Sequence, residues 1–187
     1  MINSDYYSTL ALQETIRIEH NEVIPFEELI IKNTLPVEKV IADYKIRDSI
    51  WKKCCERFAT SVKPFENVEC LVSQLVNCNC SIGIVTSRRK KDLKQFRNTE
   101  LGKRFKQVVC FEDCLEHKPS SEPIKYYLNK FLITNTDTLY IGDSYCDMLS
   151  AKGANVAFGL ALWNPNTQNI EGADFQLNNA LDVLKLI

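Results

Sequence analysis

No run of apolar residues in this chain approaches the roughly 20 needed to span a bilayer. Nor does its beginning read as a basic segment followed by an apolar one, as a secretory leader would. These two absences predict a cytoplasmic protein with no membrane partner. Net charge is nearly absent as well, because 23 Lys and Arg stand against 24 Asp and Glu. No global field therefore draws nucleic acid or an anionic surface, and any anion has to be met locally. Histidine is confined to His20 and His117, and the eight cysteines contain no C-x-x-C pair. The nearest approach to a metal cluster is Cys110, Cys114 and His117, without an evident fourth ligand. Reduced thiols acting as small hydrophobes in a reducing compartment describe these cysteines better. There is no internal repeat and no low-complexity tract.

What is present is an ordinary globular composition, 187 residues of which 45% are hydrophobic and 25% charged. That length suits one good-sized core, or one core with a smaller accessory unit. The chain changes character near Pro64. From residue 4 to about 60 the signals are helical. Pro25 and Pro36 sit where helices could start, and Val37, Val40, Ile41, Tyr44, Trp51, Cys55 and Phe58 recur at helical spacing. That stripe predicts one long amphipathic helix, with Asp48 marking where its face drifts into solvent.

Beyond Pro64 strands and helices alternate. Helices are expected over 68–76, 90–98, 123–131, 145–152 and 180–186. Short apolar strands are expected over 81–86, 107–111, 138–141, 156–158 and 173–176. Such alternation predicts an α/β fold with a parallel sheet covered by helices on both faces.

In an open parallel sheet, ligands bind beyond the carboxyl ends of the strands, so the polar residues there are the candidates for chemistry. SIGIVTSRR ends in Thr86 and Ser87 just ahead of a helix, which offers hydroxyls and free backbone N–H groups to an anion. VVCFEDCLEHKPSSEPI sets Lys118 in the loop after the next strand, where its ammonium can neutralise that anion. TLYIGDSYCD turns at Gly142, then presents Asp143 in the loop and Asp147 in the first turn of a helix. Two hard carboxylates so placed suit Mg²⁺, which takes one or two carboxylates, waters and a substrate phosphate.

Taken together these segments resemble the haloacid dehalogenase (HAD) superfamily, in particular its phosphoglycolate-phosphatase-like and β-phosphoglucomutase-like branch. IVTSRR resembles the second motif of that family, HKPSSEPI the third and YIGDSYCDMLSAKGAN the fourth, while AFGLALWN and GADFQLNNALDVL resemble its usual tail. The resemblance implies a Rossmannoid core over 64–187 and a helical cap over 1–63. It implies a phosphatase acting on a small phosphorylated metabolite, with Thr86 binding the transferring phosphoryl group and Ser87 assisting. Lys118 would stabilise the phosphoryl charge, and Asp143 with Asp147 would position Mg²⁺.

One part of the pattern is missing. The family attacks phosphate with an aspartate in a D-x-D-x-T segment that ends its first, central strand, and no such segment is found. MINSDYYSTLALQETI resembles what normally follows it, so the central strand is expected to be absent and the chain to be inactive or nearly so as written. Alternatives stay open: a regulatory pseudo-enzyme that binds a phosphate ligand, or an active phosphatase whose nucleophile is Asp5 or comes from an upstream or partner segment.

Overall fold

Apolar spacing organises the first part of the chain into helices. The computed structural model describes residues 4–32, 37–59 and 63–187. It divides into two compact units, Met1–Pro64 and Phe65–Ile187. In the first, α1 (Ser4–His20), α2 (Phe26–Lys32), α3 (Val37–Asp43) and α4 (Asp48–Ala59) enclose Ala11, Leu12, Ile16, Leu29, Val40, Ile46, Trp51 and Cys54. Pro25 sits just ahead of α2, while Pro36 lies outside the described residues.

The single long helix expected over the Val37–Phe58 stripe is instead two. Lys45 adopts a left-handed conformation, φ 50°, which a right-handed helix cannot continue. Asp48 then begins α4, where the helix dipole favours a carboxylate, and it pairs with Lys52 one turn on. The stripe survives the break because Val40, Ile46 and Trp51 still bury in one cluster. Periodicity reported the shared face and not the chain's continuity.

In the second unit the alternation predicts the architecture well. Strands β1 (Gly83–Val85) and β2 (Gln107–Val109) pair in parallel, Gly83 with Gln107 and Val85 with Val109. A second parallel sheet runs β3 (Leu139–Gly142), β4 (Ala157–Ala161), β5 (Phe175–Leu177), with Ile141 opposite Gly159 and Ala161 opposite Leu177. The helices are α5 (Val68–Asn77), α6 (Lys90–Asn98), α7 (Glu100–Arg104), α8 (Glu122–Phe131) and α9 (Tyr145–Gly153), followed by 3₁₀ turns over Ala180–Leu186.

Side chains of a strand alternate between faces, and two apolar clusters follow that alternation. Val85, Val109, Tyr140, Phe158 and Leu160 join Ile124, Leu128, Met148 and Ala151 of α8 and α9. Ile84, Val108, Leu139, Ile141 and Leu177 join Val68, Leu71 and Val72 of α5, Leu101 of α7 and Val183. The parallel strands are therefore covered on both faces, as the sequence predicts. The sheets themselves remain separate in the pairing, β1–β2 and β3–β4–β5. Among the described residues, no helix is long and apolar enough to cross a membrane.

Phe158 is fully buried in the first of these clusters. Phe158→Ala should cost about 3–5 kcal/mol in urea unfolding, whereas Val23→Ala, at an exposed position, should stay within about 0.5 kcal/mol.

Candidate functional site

Three strand ends supply the site. Where β1 stops, the Thr86 amide still donates to the Val109 carbonyl at 3.0 Å, so Thr86 is held beside β2. Its hydroxyl oxygen accepts from the Arg88 amide at 3.2 Å, a local turn that fixes the side chain. Ser87 is exposed. After β2 the chain makes a short 3₁₀ turn over Phe111–Asp113, closed by the Cys110 amide donating to Asp113 at 2.8 Å. It then reaches Lys118 ahead of α8. The buried Ser150 hydroxyl of α9 donates to the Ser120 carbonyl at 2.7 Å, tying the lysine's loop to that helix.

Thr86, Ser87 and Lys118 line one cleft, together with Cys110, Phe111, Cys114, His117 and Pro123. The rings of Phe111 and His117 stack at 3.7 Å along its wall. Burial pushes the Cys110 thiol up, and the carboxylates of Asp113 and Glu112 push it further. Cys114 is raised in the same way by burial and by Glu122 and Asp113. Both are protonated at neutral pH, which disfavours them as metal ligands or nucleophiles. Among the described residues, no group of three His, Cys, Asp or Glu side chains could hold a metal ion.

Lys118 does not stand alone in this cleft. Its ammonium donates to Asp147 Oδ1 at 2.6 Å and to the Tyr140 hydroxyl at 3.2 Å. With three N–H donors on a lysine, one is left without a partner among the described residues. The side chains of Lys118 and Asp147 are 16% and 8% exposed. Burial by itself would lower the Lys118 pKa, but Tyr140 and Asp147 outweigh it and hold the ammonium above its ordinary range. Burial by itself would raise Asp147, but Lys118 and the hydrogen bonds from Ser144 and Tyr140 hold its carboxyl below the usual range.

The two acids have different surroundings. Asp147 Oδ1 serves Lys118 and lies 3.1 Å from the Tyr140 hydroxyl, and Oδ2 accepts from the Ser144 hydroxyl at 2.6 Å. Both oxygens are engaged by protein donors, so Asp147 is the lysine's counter-ion. Asp143 is exposed, and its Oδ2 accepts from the buried Asn164 amide at 2.9 Å. Its other oxygen has no partner among the described residues. Asp143 thus keeps one carboxylate oxygen unpartnered among the described residues, while both oxygens of Asp147 accept hydrogen bonds. Asp5 lies in the first turn of α1, and its side chain is outside the described ones.

Sequence reasoning missed three supporting residues. Ser144 had a signal, since it stands directly before an expected helix. It caps α9 by accepting from the Asp147 amide at 3.2 Å while donating to that residue's carboxylate. Asn164 and Tyr140 had none, because Asn164 meets Asp143 from beyond β4 and Tyr140 meets Lys118 only once the loop after β2 is folded beside β3.

A family model described as haloacid dehalogenase-like hydrolase matches residues 2–161. The pyrophosphatase PpaX of Oceanobacillus iheyensis is 25% identical over 130 residues, 67% of this chain and 61% of that protein. A phosphoglycolate phosphatase of Xanthomonas campestris pv. campestris is 28% identical over 106 residues, 56% of this chain and 48% of that one. The chain thus spans about three fifths or less of the length of these curated relatives. A HAD-superfamily hydrolase of Geobacter sulfurreducens shares the fold, with a TM-score of 0.77 at 21% identity over 100% of this chain and 90% of that one.

Removing the lysine's partner should be severe. Asp147→Asn leaves a buried ammonium uncompensated and should cost about 3–5 kcal/mol. Gly142→Ala would put a Cβ 2.5 Å from Asp147 Cβ and 2.7 Å from Cγ, so it should displace the same carboxylate. The pH dependence has two limbs. The contribution of Asp147 is present above the ordinary carboxylate range and lost as pH falls through its lowered pKa. The contribution of Lys118 is full below the ordinary lysine value and lost as pH rises through its raised one. Stability should therefore be level with respect to this pair from about pH 5 to 10. Urea unfolding measured from neutral pH down to below about pH 4 should show the acid limb shrinking in Asp147→Asn.

Proposed function

The chain belongs to the haloacid dehalogenase-like hydrolases, and from that membership we propose that its second unit holds the phosphoryl group of a small phosphorylated metabolite between Thr86, Ser87 and Lys118. The observation that carries this reading is the single cleft lined by all three residues. Two hydroxyls and an ammonium with an unused N–H are donors for phosphoryl oxygens. The names of the relatives, a pyrophosphatase and a phosphoglycolate phosphatase, support a phosphate ester or anhydride as the ligand class. Lys118 supplies the positive charge, Asp147 and Tyr140 aim it, and Thr86 offers its hydroxyl from the end of β1.

Mg²⁺ belongs to the same reading. Asp143 would hold it through the oxygen that Asn164 leaves free, and the ion would neutralise charge on the phosphoryl oxygens. Asp147 acts on the lysine.

Among the described residues, the lining of the cleft offers no carboxylate to attack phosphorus. Chemistry of the resembled kind is a covalent route. A carboxylate oxygen bonds to phosphorus while the ester oxygen leaves with the bonding pair and gains a proton, and water then cleaves the acyl phosphate. None of the residues lining the cleft is a carboxylate. Residues 1–187 by themselves therefore bind phosphate and turn its esters over little, on the order of a millionfold below a complete site. Attack by Asp5, or by a carboxylate from another segment, is the alternative.

Inorganic phosphate at a hundred times its dissociation constant should stabilise the chain by about 2.7 kcal/mol. Thr86→Val and Lys118→Met should each remove that thermal shift. Hydrolysis of p-nitrophenyl phosphate with Mg²⁺ should stay at background. A melting temperature indifferent to phosphate would contradict the binding reading, and turnover abolished by Asp5→Asn would move the nucleophile to Asp5.

A further inference from the structure

The cleft wall that carries Thr86 and Ser87 runs on into four basic residues, Arg88, Arg89, Lys90 and Lys91. The first of them is tied to both walls of the cleft through its backbone. The Arg88 amide donates to Thr86 Oγ1 at 3.2 Å, and its carbonyl accepts from the Phe111 amide at 3.0 Å. Two peptide units separate Arg88 from Thr86, so their Cα atoms lie within about 7.6 Å of each other. Arg89 holds its guanidinium 6.0 Å over the centroid of the Phe111 ring, the ring that stacks with His117.

Charge balance singles out these two arginines. Lys90 takes both acids of the 3₁₀ turn after β2, since its amide donates to Glu112 at 3.0 Å and its ammonium pairs with Asp113 at 2.6 Å. Among the described residues neither the Arg88 nor the Arg89 guanidinium donates a hydrogen bond or joins an ion pair, and both side chains are exposed. Inside the cleft the Lys118 ammonium is already balanced by the Asp147 carboxylate. An anion placed between Thr86 and Lys118 therefore meets good donors but no surplus charge from that ion pair. The surplus stands at the rim, on Arg88 and Arg89.

Resting on the reading of the cleft as a phosphoryl site, we propose that Arg88 selects the ligand by binding a second anionic group, a carboxylate or another phosphoryl, carried within a few bonds of the first. The planar guanidinium fork matches either group with two parallel N–H donors. With its backbone clamped beside Thr86, that fork serves a group close to the first phosphoryl oxygens. The cleft thus favours a compact ligand with two anionic ends over the ester of a large neutral alcohol. Arg89, resting on Phe111, adds a second positive charge beside the first.

The test is calorimetric titration of the full chain, without added metal, with three phosphonates whose P–C bonds keep them intact. Methylphosphonate has one anionic group, while phosphonoacetate and methylenediphosphonate have two. At least one of the doubly anionic ligands should bind about tenfold or more tightly than methylphosphonate, the gain expected of a charge-assisted contact. The tighter of the two identifies the second group as carboxylate or phosphoryl. Arg88→Gln should bring that affinity ratio to about one. Lys94→Gln, which removes an exposed charge of α6 away from the cleft lining, should leave the ratio as it is. Equal affinities for all three ligands, a ratio indifferent to Arg88→Gln, or one lost equally in Lys94→Gln would overturn the proposal and leave the phosphoryl site standing. Failure of all three to bind would overturn that site and the proposal together.

Discussion

A lysine ammonium and an aspartate carboxylate withdrawn together from water hold the second unit's functional end in place. Taking both out of water costs several kcal/mol per ion, so the pair persists only with good geometry and further hydrogen bonds. Those bonds come from every neighbouring element. Lys118 arrives on the loop after β2, Asp147 on α9, Tyr140 on β3, and Ser144 from the cap of α9. Gly142 lacks the Cβ that would press on the carboxylate. One ion pair thus connects the strand ends of both sheets, and the cleft between Thr86 and Lys118 inherits its shape from it.

Much of this was legible because residue types at the ends of buried strands say where chemistry sits. Thr86, Ser87 and Lys118 were found by that rule alone, and they line one cleft. The division of labour between Asp143 and Asp147 was not legible. A spacing of four puts both acids near the start of one helix, but only the folded chain shows that a lysine 29 positions away reaches the second one. Tyr140 was hidden for a related reason, because in sequence it is one more bulky residue in a short strand. Its hydroxyl acquires a role only where the Lys118 ammonium and the Asp147 carboxylate come beside it. In the first unit the apolar stripe identifies a buried face, yet a single left-handed residue, Lys45, breaks the one helix that the stripe predicts.

Membership in a hydrolase family does not by itself fix which residues carry each part of the chemistry. The donors that would grip a phosphoryl group converge in the cleft, and the carboxylate that would attack it is not among the residues lining that cleft. A division also runs through the sheet, where the two halves are each well covered by helices and meet through a tyrosine hydroxyl instead of a ladder.

Phosphorus NMR of inorganic phosphate, recorded with increasing amounts of the intact chain and of its Lys118→Met variant, tests the role of the lysine most directly. The resonance should broaden and shift saturably with the native chain and remain sharp with the variant. Equal broadening by both proteins, or none with the native chain, would contradict a phosphate site built on the Lys118 ammonium.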